Sequence, residues 1–394
     1  MAAHDRLIVD SAALAAICRQ FASESFISVD TEFMREKTYW SRLCLVQLAG
    51  SDRECAIDPL AEGIDFAPLY DLLSNAQVLK VFHAARQDLE IFFHRMGRLP
   101  APIFDTQIAA MVCGFGDQVA YDRLVAKLTG ERIDKAFRFT DWSLRPLRDR
   151  QIEYAISDVT HLRAVYERLS ETLAANGREP WLTEEISELI NPRTYAADPR
   201  ESYRRIGKIG RASPRFLAIL RELAAWRDTE AQRLDIPRAR VLRDEALVEI
   251  AHHPPSTAAD LGRVRLGRGA IRGRSVDEVL AAVRRGLSVP ESDRPRADGR
   301  ETRATSGGPL VDLLKVLLKA KCDEYGVAQK LVASSAEIEG IAAEGDNAPV
   351  RALHGWRRDV FGQDALKLLR GEMALAAKGN RLTVVSIAPA STLR

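Results

Sequence analysis

The sequence predicts an α/β domain built on a mixed sheet, followed by two small all-helical modules. Three observations carry this expectation. Strand-like runs come first and then alternate with helical periodicity up to about residue 175. Beyond residue 213 the apolar residues recur at helical spacing. Residues 290–309, rich in Pro, Gly, Ser, Thr, Asp and Arg, separate two helical stretches of similar size. At 394 residues the chain exceeds what one core usually supports, and its 46% hydrophobic and 28% charged residues are ordinary globular composition.

Each element has its own signal. The apolar patch at 12–18, preceded by Asp5, Arg6 and Asp10 and followed by Arg19, reads as an amphipathic surface helix and not a secretory leader. Runs at 26–30, 43–48 and 55–57 have strand character, with short polar stretches between them that suit hairpins. A helical pattern at 66–73 precedes an apolar strand at 78–82 and a helix at 85–96. Helices follow at 107–113, 119–128 and 147–174, the last stopping near Asn176-Gly177. The expected boundaries are a first domain at 1–175, a polar connector at 176–210, a helical module at 211–289, a linker at 290–308 and a second helical module at 309–394. Trp356 and Phe361 mark a segment that would seat an aromatic in the last module's core.

Composition excludes several classes. Lys+Arg 57 against Asp+Glu 55 leaves a formal charge of +2, so any affinity for nucleic acid must come from local basic surfaces. The five cysteines, Cys18, Cys44, Cys55, Cys113 and Cys322, are scattered without a CxxC pair, against both a disulfide framework and a thiolate zinc site. Adjacent His252 and His253 diverge on any regular element, which disfavours zinc there too. No run of 18 or more apolar residues occurs, so a soluble, cytoplasmic protein without membrane contact is expected.

The chemistry begins at Asp30 and Glu32. Side chains alternate along a strand, so both point the same way, holding two negative charges together where a cation would fit. Asp88 follows in a helical segment, and Asp158 lies four residues after Tyr154, on the same helical face. Any one of these residues alone is unremarkable: a lone Asp-x-Glu is usually a solvated strand end. Their conjunction is informative, with Val29-Asp30-Thr31-Glu32-Phe33, Leu45-Val46-Gln47-Leu48, His83-Ala84-Ala85 before Asp88-Leu89, Phe104-Asp105-Thr106-Gln107, and Asp141-Trp142 before Arg145-Pro146-Leu147.

This order of motifs resembles the DEDD superfamily of exonucleases, in its tyrosine-bearing branch. The first helical module resembles the HRDC domain, through Phe216 to Trp226-Arg227 and the run from Ile236 to Leu247; the second resembles it through Asp312-Leu313-Leu314 and Trp356-Arg357. Together these features are similar to the ribonuclease D family. The resemblance implies a ribonuclease-H-like first domain and 3′→5′ hydrolysis of RNA with release of nucleoside 5′-monophosphates. It assigns metal binding to Asp30, Glu32, Asp88 and Asp158, for two divalent ions, Mg²⁺ or Mn²⁺, and gives Tyr154 the positioning of the attacking water. The implied partners are RNAs with a single-stranded 3′ end, transfer RNA precursors among them; a monomer is expected.

Such hydrolysis needs a nucleophile at neutral pH and stabilisation of charge on the phosphoryl group and leaving oxygen, which two cations about 3.5–4 Å apart can supply. Clustered carboxylates suit hard divalent ions, and without them at least one should keep its proton above its usual pKa. A phenol with an ordinary pKa near 10 is a weak general base. Substrate-binding candidates are Thr31, Phe33, Gln47, His83, Arg263, Arg265 and Arg268. Phe33 would stack on the terminal base or pack in the opposite core, and His83 would meet a phosphate or the 3′ hydroxyl or serve structure. The arginines, with Arg272, Arg274, Arg204, Arg205 and Lys208, would neutralise phosphates or form a solvated face.

Asp105 is read as a helix cap and not a ligand. Arg148 stands where the family commonly has Ser or Thr before the tyrosine-bearing helix, which puts that cap in doubt. Two rivals are a DNA 3′→5′ proofreading-type exonuclease and a nucleic-acid-binding scaffold with a vestigial site. The presence of all four carboxylates and Tyr154 speaks against the scaffold.

Overall fold

A computed structural model describes residues 3–134, 136–138, 140–196, 198–207, 209, 212–263, 273–296, 308–379 and 381–387. Apolar alternation builds a six-stranded sheet from β1 (Leu7–Ile8), β2 (Phe26–Met34), β3 (Arg42–Ala49), β4 (Glu54–Ile57), β5 (Leu79–Phe82) and β6 (Ile103–Asp105), in the order β1-β4-β3-β2-β5-β6. β2, β3 and β4 form an antiparallel meander, with β5 and β6 added in parallel beside β2 and β1 in parallel beside β4. β1 and β6 escape the sequence reading because two or three residues hold no alternation to detect.

Around the sheet lie α1 (Ser11–Phe21), α2 (Ala67–Ser74), α3 (Arg86–Met96), α4 (Thr106–Val112), α5 (Tyr121–Thr129), α6 (Asp149–Asn176) and α7 (Glu179–Leu189). Ile27 and Val29 of β2 join the core with Leu14 and Phe21 of α1, while Ser28 faces the opposite side and donates to Val159 O of α6 at 2.6 Å. The polarity of β2 thus changes by face, and α6 covers the face that Asp30 and Glu32 share. At the start of α6 the cap left in doubt by Arg148 is made in reverse: Gln151 Oε1 accepts from Arg148 N at 3.0 Å, and Gln151 Nε2 reaches Thr140 Oγ1 at 3.2 Å. The helix ends at Gly177, whose φ of +63° is the left-handed geometry glycine favours.

The first helical module comprises α8 (Pro214–Leu234), α9 (Arg238–Val241), α10 (Asp244–His252), α11 (Ala258–Leu261) and α12 (Arg274–Ser288), and it has its own core around Phe216, Leu220, Leu247, Ile250 and Val283. α8 and α12 approach so closely that a Cβ at Gly286 would lie 2.5 Å from Ile219 Cα. The module is fastened to the first domain by the loop after β2. Asp235 Oδ1 accepts from Tyr39 N and Trp40 N, both at 3.0 Å. The Tyr39 hydroxyl donates to Asp228, which Arg238 also grips.

The second module is not wholly helical. α13 (Pro309–Tyr325) and the helices Gln329–Val332, Ser335–Glu344 and Gln363–Leu369 are followed by an antiparallel hairpin, β7 (Met373–Lys378) and β8 (Arg381–Ser386). Its apolar side chains, Leu314, Leu317, Ile338 and Phe361 among them, belong to the same core as Val112 and Leu182 of the first domain. α7 makes that junction, although its stretch reads as polar connector: Trp181 stacks on Trp356 with centroids 4.3 Å apart and planes 10° from parallel. Beside them Arg357, 1% exposed, binds Leu331 O at 2.8 Å and pairs with Glu184 and Glu185. Arg357→Ala leaves Glu185 charged and buried and is expected to cost about 3 kcal/mol or more in denaturant unfolding. Arg370→Ala, whose partner Asp346 is solvent-exposed, should shift the same curve little.

Candidate active site

β2 runs past the end of β5, so its last residues stand at the carboxyl edge of the parallel strands. Asp30 and Glu32 project from one face there, and α6 brings Asp158 against them: the three carboxylates each offer an oxygen within 4.8 Å of the others. Just beyond Glu32 the register with β3 slips, from Glu32 opposite Leu45 to Phe33 opposite Leu43, a bulge that turns the strand at the cluster's edge.

Asp88 arrives from the opposite face, in the first turn of α3. Thr31, whose side chain points away from Asp30 and Glu32, donates its hydroxyl to Asp88, so one strand holds three members of the set, two directly and one by a hydrogen bond. The position of α3 is fixed by Asp105. Its carboxylate accepts from Ala84 N (3.2 Å) and Ala85 N (2.8 Å) before α3, and from Gln107 N (2.8 Å) and Ile108 N (3.2 Å) at the start of α4. The helix-capping reading of Asp105 agrees with this geometry, and its second task, holding the turn where Ala84 has φ +56°, carries no sequence signal.

Electrostatics bind the four together. Burial pushes the Asp30 carboxyl up to about 7, against a hydrogen bond from the Thr31 backbone. Burial and then the Asp30 charge raise Asp158 to about 8, against a hydrogen bond from Tyr154. Glu32 is raised well above the carboxylate range by burial and then by Asp30, Asp158 and Asp88. Asp88 is raised by burial and then by Asp30. Asp30 is a charge that each of the other three feels. Four oxygen donors that each resist ionisation in one another's presence suit a divalent cation, which reverses that penalty.

The Tyr154 phenol is pushed far up by burial and by the charges of Asp158, Glu32 and Asp30. It therefore stays protonated at neutral pH and can act only as a hydrogen-bond donor or acceptor. Trp142 and Phe137 flank its ring at 6.2 and 6.3 Å. Their loop is clamped by Arg145, which binds Asp58 through two 2.6 Å contacts and Cys44 O, at the bulge, at 2.7 Å.

The remaining sequence-predicted residues scatter. His83 has Nδ1 2.9 Å from Thr106 Oγ1, and its pKa is lowered by burial. Phe33 is half-buried against the main core. Thr31 is buried and its hydroxyl is engaged with Asp88. Gln47 stands opposite Asp30 in register, is 0% exposed, and its amide has no hydrogen-bond partner among the described residues. Arg263 is exposed, 3.8 Å from Asp260; Arg265, Arg268, Arg272 and Lys208 lie outside the described residues. Tyr121 was missed. Its hydroxyl donates to Asp158 O, its ring lies 4.9 Å from His83, and its phenol, raised first by burial, feels Asp158 and Asp30.

Fold and site define a 3′–5′ exonuclease joined to an HRDC domain: the 3′-5′ exonuclease family matches residues 6–174 and the HRDC domain family residues 216–283. Full-length relatives are more specific. Ribonuclease D of Jannaschia sp. (strain CCS1) is 52% identical over 379 residues, 95% of this chain and 97% of that protein. Ribonuclease D of Granulibacter bethesdensis is 50% identical over 382 residues, 96% of each. The crystal structure of Escherichia coli RNase D, described as an exoribonuclease involved in structured RNA processing, superposes with a TM-score of 0.79 at 29% identity, covering 93% of this chain and 98% of that one. The chain belongs to the ribonuclease D family, hydrolytic 3′–5′ exoribonucleases. No helix among the described residues is long and apolar enough to cross a membrane.

Proposed function

We propose that the chain matures the 3′ ends of transfer RNA precursors and other small structured RNAs by two-metal-ion hydrolysis, releasing nucleoside 5′-monophosphates. The observation that carries this reading is the meeting of Asp30, Glu32 and Asp158 within 4.8 Å, with Asp88 tied to the same strand through Thr31. Asp30, Glu32 and Asp158 would hold one divalent ion, Mg²⁺ or Mn²⁺, and Asp88 with Asp30 a second. Bound there, such ions supply acidity to water and neutralise charge at the phosphoryl and leaving oxygens.

The chain's own residues do the rest. Tyr154, protonated and wedged by Trp142 and Phe137, holds the attacking water by hydrogen bonding in line with the scissile bond. His83, neutral at physiological pH, contacts the terminal phosphate or sugar hydroxyl, and Phe33 borders the terminal base. Arg263, with Arg265 and Arg268, adds sequence-tolerant affinity for the phosphate backbone. Support for structured RNA substrates comes from the Escherichia coli relative, described in those terms.

The test incubates a 3′-extended transfer RNA, and matched RNA and DNA oligonucleotides, with Mg²⁺ or Mn²⁺. Native protein should release 5′-monophosphates stepwise from RNA; equal or faster trimming of the DNA would favour a proofreading-type enzyme instead. Tyr154→Phe should lower kcat about 10²-fold, the range of a positioned proton-handling group, while calorimetric binding of Mn²⁺ stays intact. Loss of Mn²⁺ binding along with rate would show that Tyr154 supports the carboxylates and not the water.

A further inference from the structure

Between the first domain and the first helical module lies a polar cavity of about 280 Å³. Arg35 and Glu90 on its wall follow Glu32 and Asp88 by three and two residues, and Tyr195, also on the wall, lies within the field of the site: burial holds its phenol at about 12, and the charges of Arg86, Asp105, Glu90 and Asp88 all reach it. The wall is thus built in part from the segment that follows β2 and from α3, the elements that carry Glu32 and Asp88.

The cavity's lining sets four arginines, Arg35, Arg193, Arg205 and Arg238, against four carboxylates, Glu90, Asp198, Glu201 and Asp228, but the two sets are not equally engaged. Glu90 is paired with Arg35 at 3.0 Å, Asp228 with Arg238, and Glu201 with Arg204, while Asp198 accepts from Arg200 N at 2.8 Å. Each carboxylate of the lining is thus engaged inside the protein. The guanidinium groups of Arg193 and Arg205 have no such partner among the described residues. A second cavity of about 410 Å³ continues from the first, sharing Ser202, Arg205 and Arg238, and adds Arg243, likewise unengaged. There Asp244 is held by Arg227 at 2.6 Å, and Glu245 is the single unengaged carboxylate set against these arginines. Unspent guanidinium donors along a polar groove are a receptor for successive phosphates, the arrangement by which single strands are held without sequence preference. The lip is aromatic: the part-buried Trp40 lies 3.8 Å, ring to ring, from His94, a surface on which a base can stack.

We propose that these joined cavities bind the phosphates of single-stranded RNA upstream of the scissile 3′ end, through Arg193, Arg205 and Arg243. The inference rests on the reading of the chain as an RNA-trimming enzyme, and it places the strand's approach along the seam between the first domain and α8–α9. It also gives the Tyr39–Asp228 fastening a purpose, since that contact keeps both walls of the seam in register.

The experiment uses the full chain, a 5′-fluorescein-labelled ten-residue oligouridylate and EDTA, so that binding is read by anisotropy without turnover. The triple variant R193Q/R205Q/R243Q should bind at least tenfold more weakly than native protein. Its log affinity against log salt should be flatter by about 2, the sum for three single-strand phosphate contacts. The lysine triple R193K/R205K/R243K should recover most of the loss. A glutamine triple within twofold of native, an unchanged salt slope, or a lysine triple as weak as the glutamine one would overturn the proposal, as would R263Q/R274Q producing the larger loss. If native protein binds through these arginines yet releases no nucleotide when metal is added, the catalytic reading fails and the binding track stands.

Discussion

Asp30→Asn should lower kcat on RNA by about 10⁴-fold, the scale seen when a catalytic unit loses a central member, and weaken Mn²⁺ binding in the same protein. Asparagine keeps the shape but removes the charge that Glu32, Asp88 and Asp158 each feel. Glu32 likewise feels all three of the others, whereas Asp88, reached through Thr31 from one side, should show a less severe loss on the corresponding change. Rate and calorimetric Mn²⁺ titration together make the check: equal trimming by Asp30→Asn and native protein would end the metal-site hypothesis. A lost rate with unchanged ion affinity would move Asp30 from ligand to some other role.

Withdrawing divalent ions should make the protein's stability fall as pH rises, and restoring them should remove that slope. The folded carboxyls of Asp30 and Asp158 titrate near 7 and 8, with Glu32 and Asp88 also raised, whereas unfolded carboxyls titrate near 4. Between about pH 4 and 8 the folded state then holds more protons than the unfolded one. Unfolding stability therefore decreases with pH there, by about 1.4 kcal/mol per unit for each extra proton held. Below that window both states are protonated and the stability is fully present; it is lost as pH climbs through the folded values. In EDTA the melting temperature should drop by several degrees from pH 5.5 to 8; Mg²⁺ or Mn²⁺ at pH 8 should raise it, and Asp30→Asn in EDTA should show a shallower slope. A flat profile in EDTA would mean that the carboxylates are hydrated and apart when ion-free.

The sequence is readable where a short-range period meets an unusual residue type. Period two put Asp30 and Glu32 on one face; period 3.6 put Tyr154 and Asp158 on one face; Asp105 before a helix announced a cap. What could not be read depends on which face of the sheet is covered, a tertiary fact. Gln47 and Thr31 adjoin the site in the chain, but only the folded structure shows that Gln47 is fully buried opposite Asp30 and that Thr31 turns to Asp88. Tyr121 sits in an ordinary amphipathic helix, and nothing local says that its hydroxyl reaches Asp158 O. α7 hid in a polar stretch because its apolar stripe, Leu182 and Ile186, is narrow and serves a junction with residues more than a hundred positions away. The hairpin from Met373 to Ser386 was lost among Ala and Thr, which carry weak alternation.

The shared core of the first and last modules also sets an order of assembly. Val112, Trp181 and Leu182 wait for partners that lie beyond residue 308, whereas Phe216 to Val283 close around one another without them. As the ribosome delivers the polypeptide, the middle segment can mature first, and the nuclease emerging ahead of it must keep an apolar flank sheltered until a stretch made far later arrives to cover it.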